Sequence, residues 1–255
     1  MSSLLIIGHR GAPDSGPENT RSSLRAALDA GADILEIDVR LTSDGHIVLS
    51  HDADFSVLGG PAKPIRDCTR KELSGFKLSG GVNGWEQPLF MDEALVEFPS
   101  AEFNVDLKDS GPRIVHAWVK LLDESGAGTR CRTASFQDRT LSLFRRMRPD
   151  LKVSVARFGV AAVLLTTLLG RPRKPRRTEG VLQIPERAGC LRVVTPRRIR
   201  QWRARGWKTQ VWTVDNEDDM HRLIEWGVDG LITNRPSLLK QVLISRKQRS
   251  RLETS

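Results

Sequence analysis

Ionisable side chains interrupt four short apolar runs at their downstream ends: Gly8-His9-Arg10-Gly11, Glu36-Ile37-Asp38, His51-Asp52 and Asn104-Val105-Asp106-Leu107-Lys108. Glu36 and Asp38 stand two apart, as do Asp106 and Lys108, and on a strand that spacing puts both members on one face. Acids turned toward the inside of a protein are costly unless they are paired or bind a cation. Glu36, Asp38 and Asp106 are hard oxygen donors that suit Mg²⁺ or Ca²⁺; the competing reading is a buried ion-pair set with Arg10, Arg40 or Lys108. His9 and His51 form a candidate acid/base pair, since imidazole titrates near neutral pH and both stand at strand ends beside the carboxylates. His46, His116 and His221 fall in a turn or on helix patterns and read as surface or packing residues. Pro17-Glu18-Asn19-Thr20 precedes a helix pattern, so Asn19 or Thr20 is expected to cap it. Capping leaves Glu18 unexplained and able to reach the same site.

The elements that must position these residues alternate along the chain. Strand patterns cover 4–8, 34–39, 47–51, 103–108, 132–136, 152–156, 180–184, 209–214 and 230–233. Helix patterns over 20–30, 91–97, 112–124, 138–148, 161–169, 196–205 and 217–226 lie between most of them, with Gly or Pro at most junctions. Repeated strand-then-helix order predicts an α/β fold, a TIM (β/α)8 barrel, with an open doubly wound sheet as the alternative. No Gly-x-Gly-x-x-Gly follows a strand, which weakens the open-sheet dinucleotide reading. Nine strand patterns exceed an eightfold repeat by one, and 47–51 follows an Asp44-Gly45 turn with no intervening helix, so it is either a barrel strand or a hairpin partner. A barrel gathers its functional side chains at the C-terminal ends of its strands, where the ionisable residues stand. Residues 52–90 read as a small loop insertion after the third strand, near the active site. The barrel domain is expected to span 1–244, followed by a basic, disordered tail at 245–255.

Composition sets outer limits. With 39% hydrophobic and 28% charged residues the chain is not collagen, coiled coil or wholly disordered. Cys68, Cys131 and Cys190 are odd in number and widely spaced, which fits neither a zinc site nor a disulfide framework and favours a reducing compartment. There is no leader pattern, and Val160–Leu169 is too short to span a bilayer, so a cytoplasmic protein is expected. The net charge is +9, yet the segments 171–177, 197–208 and 240–251 hold sixteen of the forty basic residues and no acid, leaving the remainder at −7. An acidic body with basic patches is compatible with solvated faces or with peripheral contact on anionic membrane. Nucleic acid is a weaker partner, because apart from Trp202 and Trp207 no stacking aromatics interleave the basic residues.

In order, His9-Arg10-Gly11-Ala12, Pro17-Glu18-Asn19-Thr20, Leu35-Glu36-Ile37-Asp38-Val39-Arg40, His51-Asp52, Val105-Asp106-Leu107-Lys108, Ser135-Phe136, Val211-Trp212-Thr213-Val214 and Gly227-Val228-Asp229-Gly230 through Pro236 resemble the glycerophosphodiester phosphodiesterase family. The resemblance runs from about residue 4 to 240. It implies a TIM-barrel phosphodiesterase that depends on a divalent cation, Mg²⁺ or Ca²⁺, and cleaves small-molecule glycerophosphodiesters to glycerol 3-phosphate and an alcohol. By that resemblance His9 and His51 match the acid/base histidines, and Glu36, Asp38 and Asp106 the metal-binding carboxylates. Arg10 and Lys108 match phosphate-holding positions, and Glu18 and Trp212 positions lining the substrate site. Two departures stand out: Asp106 where the family often has Glu, and Asn234 where an acid is common, a lost charge to which no catalytic duty is assigned. The alternatives are a lysophospholipase D-type lipid phosphodiesterase at a membrane surface, or a non-catalytic binding protein on the same fold.

Overall fold

The computed structural model describes residues 4–80 and 84–252. Seven parallel strands curl side by side: β1 (Leu5–His9), β2 (Ile34–Leu41), β4 (Glu102–Leu107), β5 (Cys131–Ala134), β6 (Val181–Pro185), β7 (Lys208–Trp212) and β8 (Gly230–Thr233), in the order β5-β4-β2-β1-β8-β7-β6. The short β3 (Ile47–Leu49) pairs antiparallel with β2, Val39 opposite Leu49, so 47–51 is the hairpin partner. Between β5 and β6 the chain at 152–154 fills the eighth position. Val153 bridges Thr133 in parallel, Ser154 N–H donates to Thr133 O at 2.8 Å, and Val153 N–H donates to Thr178 O at 3.0 Å. The result is the TIM-barrel form of an α/β fold.

Among the described residues, and apart from short turns, eight helices pack outside: α1 (Arg21–Asp29), α2 (Met91–Glu97), α3 (Pro112–Ser125), α4 (Asp138–Met147), α5 (Arg157–Leu168), α6 (Pro196–Arg203), α7 (Glu217–Trp226) and α8 (Pro236–Leu252). Helix α3 shows how the pattern acts. Pro112 occupies the first turn, where its missing N–H costs nothing, and Ile114, Val115, Trp118, Val119 and Leu122 form one buried stripe. Gly126 then ends the helix at φ 65°. One half of the core lies under α1 to α4 and a second under α5 to α8. At about 1.5–3 kcal/mol per fully buried large side chain, these two clusters hold the strand ends rigidly in place.

Three expectations change. Residues 245–252 continue α8 instead of forming a disordered tail, because nothing from Ser237 to Leu252 breaks a helix and Leu, Lys, Gln and Arg favour one; residues 253–255 lie outside the described residues. Helix α5 starts at Arg157, four residues ahead of its expected start. The described residues of the segment 52–90 are folded, with a one-turn helix Arg70–Leu73 closed by a Thr69/Glu72 capping box, and a ribbon pairing Leu78–Ser79 with Trp85–Glu86. It has its own apolar cluster, in which Phe55, Ile65, Leu73 and Leu78 pack beside Val48 and Phe90.

Candidate active site

A cavity of about 570 Å³ opens at the C-terminal ends of the strands, and His9, Arg10, Glu36, Asp38, His51, Asp106, Lys108 and Trp212 all line it. Register explains the gathering. His9 is paired with Glu36 across β1 and β2, and Asp38 with Asp106 across β2 and β4, so equivalent strand ends deliver their side chains to one point. Glu18 is the exception among the expected residues. It lies outside the cavity lining and accepts a hydrogen bond from Arg10 Nη1 at 2.7 Å. None of the described residues of 52–90 lines the cavity either; a wall of it comes from Ser154 and Val155 ahead of α5 and from Arg157, Val160, Ala161 and Leu164 in α5.

The turn after β1 is built for this purpose. Arg10 adopts φ 54° and Gly11 φ 87°, and a Cβ on Gly11 would fall 2.1 Å from Ser23 Oγ, so glycine is required there. Asn19, at φ 57°, reaches Asp38 twice: its Oδ1 accepts from the Asp38 N–H at 3.0 Å, and its Nδ2 donates to Asp38 Oδ2 at 3.2 Å. Thr20 occupies the helix N-cap position, yet its hydroxyl donates to Pro17 O at 2.6 Å and caps nothing. Asn19 therefore serves the carboxylates and not the helix, because it is the residue that the turn leaves pointing inward.

Charge inside the cavity is unbalanced. Lys108 Nζ stands between Asp38 Oδ1 at 2.8 Å and Asp106 Oδ2 at 2.7 Å, while Arg10 Nε lies 3.0 Å from Asp38 Oδ2. The ion-pair reading thus accounts for Asp38. Burial pushes the Asp38 carboxyl up, but Lys108, Arg10 and Asn19 together hold it below the usual carboxylate range. Glu36 goes the other way: burial, and then the charges of Asp38 and Asp106, raise it well above that range. Burial also raises Asp106, only partly opposed by Lys108. Asp106 Oδ1 is buried and lacks a hydrogen-bond partner. Arg40 takes no part in the cluster; it donates to the His51 carbonyl at 3.1 and 2.7 Å and pairs with Asp109 at 2.8 Å, fixing the backbone that carries His51.

Those observations test whether a metal fits. Among the described residues no group of three or more His, Cys, Asp or Glu side chains is preformed around a metal position. The donor chemistry nevertheless suits a hard divalent ion: three carboxylates, one with an orphaned buried oxygen and one starved of positive charge.

The two histidines are both oriented through Nδ1. His51 Nδ1 lies 2.9 Å from Asp52 Oδ1, an atom that can only accept, so Nδ1 carries the proton. For His9 the partner is Asn234 Oδ1 at 2.7 Å. That amide is itself fixed, because Asn234 Nδ2 donates to the Asp215 carboxylate at 2.7 Å and leaves its oxygen for His9. His9 therefore also bears its proton on Nδ1 and turns Nε2 toward Glu36, 3.9 Å away. Burial, ahead of the opposing bond to Asn234, lowers the His9 pKa below its ordinary 6.5, which favours the neutral ring. The link from Asp215 through Asn234 to His9 spans 225 residues of sequence, and a strand-end Asn next to a Thr is too common a pattern to have disclosed it.

Trp212 meets Phe136 edge to face, with ring centroids 6.1 Å apart, and Lys108 Nζ lies 5.5 Å from the centre of the Phe136 ring. Across the cavity Ser154 donates to Gln183 Oε1 at 2.6 Å, and Gln183 Nε2 donates to Gln210 Oε1 at 3.0 Å. Phe136, Ser154 and Gln183 also line the cavity; Phe136 enters the sequence analysis only within the Ser135-Phe136 motif, and nothing in the types of Ser154 and Gln183 announces chemistry.

Comparison with known proteins follows from this geometry. The profile of the Glycerophosphoryl diester phosphodiesterase family matches residues 9–238. Over 253 residues the chain is 30% identical to "Probable glycerophosphodiester phosphodiesterase 2" of Mycobacterium tuberculosis, covering 95% of this chain and 91% of that protein. A glycerophosphodiester phosphodiesterase of Caldanaerobacter subterraneus is 30% identical over 247 residues, covering 92% and 96%. Among solved structures, an Oleispira antarctica phosphodiesterase in complex with its product sn-glycerol-3-phosphate superimposes with a TM-score of 0.76 at 21% identity, covering 94% of this chain and 96% of that one.

Proposed function

The chain belongs to the glycerophosphoryl diester phosphodiesterase family, and from that premise we propose that its cavity hydrolyses glycerophosphodiesters by two-histidine acid/base catalysis with the help of a divalent cation. The enzyme is a glycerophosphodiester phosphodiesterase acting on a small-molecule phosphodiester; the proposal concerns how. What supports the reading is a single arrangement: two histidines with Nδ1 committed to acceptors, on the wall of a cavity that also holds three carboxylates, Arg10 and Lys108.

A phosphodiester repels nucleophiles, so positive charge must meet its non-bridging oxygens as the transition state forms. Arg10 and Lys108 are the cavity's own cations for that task. A Mg²⁺ or Ca²⁺ ion held by Glu36, Asp38 and Asp106 would add Lewis-acid charge at the same oxygens. His9, neutral and with Nε2 unprotonated, removes a proton from the nucleophile, either water or the neighbouring glycerol hydroxyl, which in the second case gives a cyclic phosphate that water then opens to glycerol 3-phosphate. His51 donates a proton to the departing alcohol oxygen, and the imidazolium form it needs faces the Asp52 carboxylate, whereas the ring of His9 is held by a neutral amide. Trp212 packs against the glycerol part of the substrate. Glu18 holds the Arg10 guanidinium and leaves it aimed at the site.

The test is release of glycerol 3-phosphate from glycerophosphocholine and glycerophosphoethanolamine with Mg²⁺, with Ca²⁺ and after chelation. Metal-dependent release is expected, and His9→Ala or His51→Ala each lowers the rate by roughly 10²–10⁴-fold. Full activity after exhaustive chelation removes the cation from the mechanism. A loss below about threefold in either histidine variant, with the fold intact, removes that histidine from acid/base duty.

A further inference from the structure

Helix α5 breaks the pattern of the other helices. A helix packed on the outside of a barrel ordinarily shows the solvent a polar face. After Arg157 the sequence Phe-Gly-Val-Ala-Ala-Val-Leu-Leu-Thr-Thr-Leu carries no charge at all. Phe158, Leu165, Leu168 and the following Leu169 are 78%, 60%, 71% and 73% exposed. With exposed Ala161, the positions 158, 161, 165 and 168 follow steps of three and four residues, which align them as one apolar stripe along the helix. The stripe is held in place from behind. Val163 and Thr167 are buried, and Thr167 Oγ1 accepts from the indole N–H of buried Trp202 at 2.9 Å. Val160, Ala161 and Leu164 on the adjoining face form the apolar wall of the active-site cavity. Directly after the helix, residues 171–177 hold five basic residues in seven and no acid, with Arg171, Lys174, Arg176 and Arg177 exposed.

We propose that α5 and the 171–177 segment together dock the enzyme on an anionic lipid surface, the apolar stripe entering the headgroup–acyl boundary and the basic segment meeting the lipid phosphates. Exposed apolar side chains aligned on one helix face, with a dense cationic flank, are the two components that interfacial helices combine. Charge decides between occupants. A second copy seated by a two-fold contact on α5 would bring the same basic segment against itself, whereas an anionic surface complements it. Because Ala161 belongs both to the stripe and to the cavity lining, docking holds the mouth of the cavity against the surface. The proposal goes beyond the catalytic reading and does not depend on it.

Co-sedimentation of the full chain with phospholipid vesicles tests it without reference to activity. Vesicles of phosphatidylcholine alone are compared with vesicles containing about one third phosphatidylglycerol, at low salt and at about 0.5 M salt, where the Debye length shrinks to a few ångströms. The chain is expected to pellet with the anionic vesicles at low salt and to be released by high salt. The doubly substituted Leu165→Gln/Leu168→Gln chain and the triply substituted Arg171→Gln/Lys174→Gln/Arg177→Gln chain should each partition at least about tenfold less, with glycerophosphocholine turnover unchanged. No pelleting of the unsubstituted chain overturns the proposal, and so does pelleting that the Leu165→Gln/Leu168→Gln pair leaves unaltered. A dimer in solution that the same pair dissociates also overturns it, by assigning the stripe to a second copy.

Discussion

Replacing Asn234 isolates the one side chain that sets the tautomer and orientation of His9. In the enzyme Asn234 Oδ1 stands 2.7 Å from His9 Nδ1, and its Nδ2 is committed to Asp215 at 2.7 Å. Alanine removes both bonds but leaves the backbone N–H of residue 234 donating to Asp215 Oδ1, so the loop itself remains anchored. Losing one hydrogen bond from a partly buried imidazole costs about 1–1.5 kcal/mol. Since 1.36 kcal/mol is tenfold in rate, Asn234→Ala should lower kcat by roughly five- to tenfold, with little change in KM, because the bond orients a base and does not hold the substrate. Asn234→Asp separates orientation from charge. It still offers His9 an acceptor and sets a carboxylate beside the ring, and Asp215→Asn accompanies it so that the 2.7 Å contact to residue 215 stays amide to carboxylate.

The pH profile is the discriminating assay. Burial above all holds the His9 pKa below 6.5, so the neutral base is present at neutral pH. The acid limb of the activity profile should rise with pH through that lowered pKa. A carboxylate at residue 234 favours the imidazolium, so the rising limb of the Asn234→Asp enzyme should move to higher pH, with its deficit greatest on the acid side. Profiles of kcat and kcat/KM over about pH 5–9 decide the matter. An Asn234→Ala enzyme within about twofold of the parent throughout, or an Asn234→Asp limb that does not move, refutes the assignment of Nε2 of His9 as the base.

Asn19→Ala removes two bonds to buried Asp38 and places a Cβ-bearing residue without a polar side chain at φ 57°. A loss of about 2–4 kcal/mol in denaturant unfolding is expected, and Asn19→Gly should recover only the backbone part. Glu36→Gln takes away a buried charge crowded by Asp38 and Asp106. The chelated variant should therefore melt above the chelated parent and lose the metal-induced rise in Tm, which for the parent reflects about 2.7 kcal/mol at a hundredfold excess over Kd; an unchanged rise with Mg²⁺ and Ca²⁺ removes Glu36 from the metal set. Of the three thiols, Cys190 is exposed, Cys68 is buried, and burial pushes the Cys131 thiol up to about 12. An aromatic disulfide reagent near neutral pH should thus titrate one thiol in the native chain and all three after unfolding, and fast labelling of a second native thiol contradicts the packing of Cys131 at β5 or of Cys68 in the cluster with Phe55 and Ile65.

Much of the fold was legible because its punctuation is local. Gly and Pro at the junctions, and runs whose period changes from strand to helix, located Met91–Glu97, Glu217–Trp226 and Gly230–Thr233 without error. The ionisable cluster was legible for a related reason: a strand that should stay apolar yet ends in Glu36-Ile37-Asp38 exposes its purpose in two residues. What stayed hidden depends on contacts far apart in sequence. Asn234 looked like a lost charge until its oxygen was found on His9. The segment 52–90 was assigned to the site on its loop-like composition, but its apolar residues satisfy one another in a separate cluster that lies off the cavity. The eighth barrel position stands where a strand is expected over 152–156, but it pairs through one bridge to Thr133, too little ladder for the expected length. Helix α8 has no counterpart among the expected helix patterns, and from 245 its polar residues read as disorder, although helix-forming and polar are independent properties.

The two ends of the cavity differ in kind, and this orients the substrate. Every charged group of the cluster comes from β1, β2, β4 and the chain just after β3, whereas the facing wall of Val155, Val160, Leu164, Ile184 and Pro185 carries no carboxylate, its polar groups being Ser154, Arg157 and Gln183. Arg157 is charged on that wall, but Arg10, Lys108 and both histidines stand together on the other, so under the proposed mechanism the phosphate lies on the clustered side and the alcohol extends toward β6 and α5. On that side a cationic head group finds no carboxylate to pair with, only the faces of Phe136 and Trp212. The phosphate end is therefore fixed by electrostatics and the alcohol end by shape and apolar area. Under the proposed mechanism a site divided in this way would tolerate variation in the alcohol while holding the reacting phosphorus against Arg10, Lys108 and the two histidines, because the terms that select one end are nearly independent of those that select the other.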